Sequence, residues 1–160
     1  MKKTGKVIYC TVLTFCLLVS FAFAQDWKNF TPLPDQINIE PPDASVPPKL
    51  AQLSGVWQGQ LQSQGGRGAT VSTSCTTIIE KITSNEVSAI WSWGTWGGGG
   101  RMQPGWTRAK GVVEGESIIL TLGKDSEMAK FSLKIRDEKT AFGEYTKGAI
   151  YSKGSFEKKQ

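Results

Sequence analysis

The sequence contains no histidine. That absence removes Ser-His-Asp and Cys-His nucleophilic systems, most zinc sites and the commonest general base. Acidic pairs remain, namely Glu114 with Glu116, Asp125 with Glu127, and Asp137 with Glu138. Each sits in a turn signal, where carboxylates ordinarily cap the chain in water instead of working as a glycosidase pair. There is no spaced Asp-x-Asp-x-Asp-Gly calcium loop, and Gly97-Gly98-Gly99-Gly100-Arg101 lacks the Gly-Lys-Ser/Thr ending and the following helix of a phosphate loop. The expectation is a non-enzymatic chain with no catalytic residues, no metal and no cofactor. An envelope hydrolase is the weakest functional rival.

Cysteine is nearly as scarce. Cys10 and Cys16 lie in a segment that reads as a secretory signal: Lys2, Lys3 and Lys6 form its charged start, Val7 to Phe21 its apolar run, and Ala22-Phe23-Ala24 a small-x-small cleavage site. A run of about 15 apolar residues is short of the roughly 20 that span a bilayer. Neither cysteine follows a small residue, so neither is expected to carry lipid. Residues 1–24 are therefore expected to be removed, leaving an exported chain, periplasmic or secreted, that begins at Gln25 and is not membrane-spanning. Cys75 then stands alone, no intrachain disulfide can form, and the domain must hold together by its core, with Cys75 as a small buried hydrophobe. Three lysines leave with the signal and take the formal net charge from +5 to +2. That charge suits solubility and does not suit a nucleic-acid partner.

Helical periodicity is also missing, and what is present is punctuation. Residues 25–50 form a leader with six of the seven prolines, including Pro41-Pro42 and Pro47-Pro48. Polyproline geometry and absent amide donors predict an extended, solvated spacer, with Trp27 and Phe30 available to dock. Residues 51–160 read as short strands between turns. Leu53, Gly55, Trp57, Gly59 and Leu61 alternate with a polar set; a Val-, Thr- and Ile-rich second strand covers Thr70 to Thr83. A third strand carries Val87, Ala89, Trp91, Trp93 and Thr95 on one face. Strands follow over Trp106 to Val113, Ser117 to Leu122, Ala129 to Ile135, Ala141 to Thr146 and Ala149 to Glu157, with hairpin turns at Glu114-Gly115 and Lys147-Gly148.

Eight such strands joined by hairpins predict an all-β fold: an eight-stranded antiparallel up-and-down barrel, whose closure removes aggregation-prone edges, with a β-sandwich as the alternative. A bore of eight strands is either filled by side chains or holds one small ligand.

The run Leu53-Ser54-Gly55-Val56-Trp57-Gln58-Gly59 resembles the G-x-W start of lipocalin-like, calycin-type barrels. The order of that segment, Ile90-Trp91-Ser92-Trp93-Gly94 and Pro104-Gly105-Trp106 is similar to small exported bacterial β domains, found alone or beside secreted α/β hydrolases. The resemblance covers Leu53 to Phe156. It implies that Trp57 plugs the closed end of the barrel, and in one respect this chain departs from the pattern. Lipocalins place an arginine from a late strand over the tryptophan; this last strand offers only Lys153 and Lys158.

Four of the six tryptophans fall between Ala89 and Trp106. Trp91, Trp93, Trp96 and Trp106, with Arg101 and Arg108 nearby in sequence, make the candidate ligand-binding set, since aromatic faces beside a few donors suit a sugar-like or amphipathic ligand. The same tryptophans equally suit a core, which leaves a filled structural or protein-interaction module and an inhibitor of an envelope enzyme as alternatives.

Overall fold

The computed structural model describes residues 30–64, 68–95, 103–123 and 128–159. Eight strands, β1 (Gly55–Gln64), β2 (Thr70–Ile82), β3 (Val87–Trp93), β4 (Gly105–Glu114), β5 (Ser117–Leu122), β6 (Ala129–Ile135), β7 (Thr140–Lys147) and β8 (Ile150–Lys159), pair in sequence order as a closed antiparallel barrel. β1 closes the ring against β8, from Val56 opposite Lys159 to Ser63 opposite Ser152. The lipocalin-like up-and-down barrel is thus the architecture, and the sandwich is excluded. One short helix, α1 (Pro48–Ala51), precedes β1, with proline in its first turn, where the missing amide has no partner to lose. Four residues are too few to display a helical period.

Alternation fixes what faces the bore. Trp57, Leu61, Ile79, Ile82, Ile118, Leu120, Phe131, Leu133 and Phe156 share the inward parity and are all buried. Phe156 has room because Gly143 faces it: a Cβ on Gly143 would lie 2.4 Å from the Phe156 ring. The hairpin at Gly115 turns with φ +60°, a conformation that favours glycine.

The end of the barrel where β1 starts is closed. Val46, Leu50 and Leu53 cover it, and the Trp57 indole Nε1 donates to the Leu53 carbonyl at 2.7 Å. Lys158 lies over Trp57, where the resemblance would have an arginine. Its ammonium lies 5.5 Å from the Trp57 ring centroid and donates to the Gln52 carbonyl at 2.6 Å, tying the α1 turn to the last strand.

The leader differs from expectation. From Thr31 onward it is a strap on the outer wall of β1, β2 and β3, not a solvated spacer. Leu33 and Ile37 pack over Val56, Ile78 and Ile90, which face outward yet are buried. Thr31 donates its hydroxyl to Thr76 at 2.7 Å, Ser92 donates to the Pro32 carbonyl, and Glu40 and Asp43 donate their amides to the carbonyls of Glu80 and Ile82. Prolines without amide donors cannot add a strand, so side chains and a few backbone bonds hold the strap instead.

Candidate functional site

Trp91 enters the bore from β3, where it lies opposite Thr77 of β2 and Thr107 of β4. It is 3% exposed and stacks on Tyr145 of β7 at 5.4 Å with ring planes 5° apart. β3 and β7 stand four places apart in a ring of eight, so this stack spans the bore. Phe131 lies 6.2 Å away on one side and Trp93 5.0 Å on another. Trp93, half-buried toward the end opposite Trp57, donates its Nε1 to the Gln103 carbonyl at 2.8 Å. Gly105, its cross-strand partner, makes space for that indole, because a Cβ there would come within 2.9 Å of it.

Trp106 and Arg108 do not join them. Their parity on β4 puts both on the outer wall, where Trp106 is 41% exposed and the Arg108 guanidinium lies 5.9 Å from its ring centroid. Arg108 serves the strap, donating to the Gln36 carbonyl at 2.9 Å and approaching Glu80 at 3.5 Å. Strand alternation thus places Trp106 and Arg108, grouped in sequence with Trp91 and Trp93 as one candidate ligand-binding set, on the other side of the wall. Trp96 and Arg101 lie outside the described residues.

The sequence reading missed the polar half of the site. Thr73 Oγ1, Thr77 Oγ1, Ser152 Oγ and Trp91 Nε1 are buried with no hydrogen-bond partner among the described residues. All four share the inward parity: Thr77 opposes Trp91 and Trp57, Thr73 opposes Leu61, and Ser152 opposes Ser63 and Tyr145. A buried polar atom without a partner costs about 1–3 kcal/mol, so four facing one bore call for an explanation. Thr73 and Thr77 flank Cys75 on the inward face of β2, between Val71 and Ile79. Between Thr73 and Thr77, burial pushes the Cys75 thiol up to about 12, which keeps it protonated and unreactive.

Two of the turn carboxylates are engaged elsewhere. Asp137 accepts the amides of Lys139 and Thr140 at 2.9 and 2.8 Å, and the Thr140 hydroxyl and these amides hold its carboxyl below the usual range. Lys49 lies 2.6 Å from Glu116 and lowers that carboxyl in the same way. Asp125 and Glu127 lie outside the described residues.

Neither a protein-family model nor a curated protein matches the chain. Among solved structures it is similar to a redesigned β-barrel, with a TM-score of 0.54 and 11% identity over 73% of this chain and 99% of that one. A second redesigned β-barrel, mFAP1 bound to DFHBI, gives a TM-score of 0.53 and 12% identity over 69% of this chain and 98% of that one. A de novo designed fluorescence-activating β-barrel gives 0.49 and 13% identity over 71% and 100%. At such identities the first two similarities establish the fold and nothing finer.

Proposed function

We propose that the chain is an exported, non-enzymatic barrel that binds one small ligand in its bore, beside Trp91 and Trp93. The observation that carries this reading is the set of four buried, unpartnered polar atoms facing one lumen. The Trp91 and Trp93 indoles supply apolar area, and nearby hydroxyls supply orientation, which is the usual division of labour in a small-molecule site. A barrel of this architecture, mFAP1, is bound to DFHBI. Export rests on the N-terminal segment, and mass spectrometry of the exported chain is expected to find an N-terminus at Gln25; a retained leader would overturn that part.

The test is a tryptophan-fluorescence screen against sugars, lipids and cell-wall fragments. Trp91→Phe should weaken binding of any hit, while Trp106→Phe should leave it unchanged. A second reading, the filled interaction module, is favoured by the Trp91–Tyr145 stack, which itself occupies the width of the bore. It predicts that no compound class quenches the indoles.

A further inference from the structure

The unpartnered groups are not spread evenly around the ring. Ser152 belongs to β8, Thr73 and Thr77 to β2, and Trp91 to β3, with the inward Ser63 of β1 between them. These four strands are contiguous and form one half of the wall. Four places away, β5 and β6 present Ile118, Leu120, Leu122, Ala129, Phe131, Leu133 and Ile135. Every one of those is apolar and buried. The bore therefore has a hydrogen-bonding side and an apolar side, with Trp91 of β3 and Tyr145 of β7 at their border.

Charge is confined to the ends. By strand parity the inward charged residues of the described strands are Lys158, committed to Trp57 and Gln52 at the closed end, and Lys147 at the opposite one. An ion drawn into the middle of the bore would shed its hydration with no countercharge beside it. A sugar would fare poorly too, since hydroxyls all round its ring would leave some unpaired against β5 and β6.

Building on the ligand-binding reading, we propose that the ligand is an uncharged, flat, ring-bearing molecule with hydrogen-bonding groups along one edge. That edge faces β8 and β1–β3, and the apolar body lies against β5 and β6 and the indole faces of Trp91 and Trp93. Thr73, Thr77 and Ser152 are then the specificity-determining residues, because each can donate or accept.

Calorimetric titration of the whole chain with four probes tests this: 2-naphthol, naphthalene, 2-naphthoate and methyl glucoside. The expected result is binding of 2-naphthol about tenfold or more tighter than the other three. Thr77→Val and Thr73→Val should each weaken 2-naphthol by about three- to tenfold and leave naphthalene unchanged. Neither substitution should lower the melting temperature, since neither hydroxyl has a protein partner to lose. The proposal is overturned if naphthalene, 2-naphthoate or methyl glucoside binds as tightly as 2-naphthol, or if both folded valine variants bind 2-naphthol like the parent. Should a valine variant fail to fold, the ranking of the four probes on the parent still decides. If none of the probes binds, and the broader fluorescence screen is also silent, the ligand-binding reading itself fails; a hit in that screen of another class overturns only the edge-polar assignment.

Discussion

Trp57 and Trp106 show how one residue type takes opposite duties from position alone. Trp57 is fully buried, hydrogen-bonded to Leu53 and covered by Lys158, so Trp57→Ala is expected to cost about 3–5 kcal/mol in denaturant unfolding. Trp106 is 41% exposed on the outer wall, and Trp106→Ala should change stability by no more than about 0.5 kcal/mol. Equal losses would mean that β4 is set in the wrong register. Cys75 gives a pH signature. Its folded thiol is raised from 9.0 to about 12, so the folded state holds its proton at pH values where the unfolded state has released it. Stability from this group is fully present below about pH 9 and declines as pH rises from there toward 12. Cys75→Ala lacks that contribution, so its melting temperature should fall less steeply than the parent's above pH 9; parallel curves would contradict the burial of this thiol. Thr73, Thr77 and Ser152 were the residues hardest to find from sequence. A threonine in a strand scores as a good strand former whichever way it points, and only parity relative to Val71 and Ile79 marks these hydroxyls as inward.

At the level of elements, all eight strands were legible because alternation is a short-range signal, and turn residues such as Glu114-Gly115 and Lys147-Gly148 mark where each ends. The strap was not, because nothing in a proline-rich run says whether it is solvated or docked. The available clue lay on the receiving side. Cys75 to Ile79 are buried without interruption, which a strand wet on one face cannot be, so something had to cover the outer wall of β2. Glu80 anchors that cover. Its carbonyl accepts the Glu40 amide at 2.7 Å, its carboxylate accepts the Asn38 amide at 3.3 Å, and it sits where the β2–β3 register shifts between Ile79 and Lys81. Removing the apolar contacts should release the strap: Leu33→Ser with Ile37→Ser is expected to cost about 1–3 kcal/mol. It should also raise proteolysis before Val46 while the barrel stays closed. A loss under about 0.5 kcal/mol would mean that the strap contributes no net stability.

For the whole molecule, closure of β1 on β8 removes both free edges, and the interior divides by depth and by side. Trp57, with Leu53 and Lys158 about it, closes one end, Trp93 lies toward the other, and Trp91, Phe131, Phe156 and the buried hydroxyls face the bore between them. Fold class follows from strand count and hairpin spacing. Trp106 and Arg108 join Trp91 and Trp93 in the candidate set by proximity in sequence, which ignores the side of the wall a residue takes. The most direct measurement is the set of indole N–H resonances of the six tryptophans, recorded by NMR as 2-naphthol is added. Binding in the bore should move the Trp91 resonance, whose Nε1 has no partner among the described residues, and shift Trp93 beside it, with Trp57 and Trp106 unmoved. A Trp106 resonance that moves while Trp91 stays fixed would place the ligand on the outer wall and contradict a binding site inside the barrel.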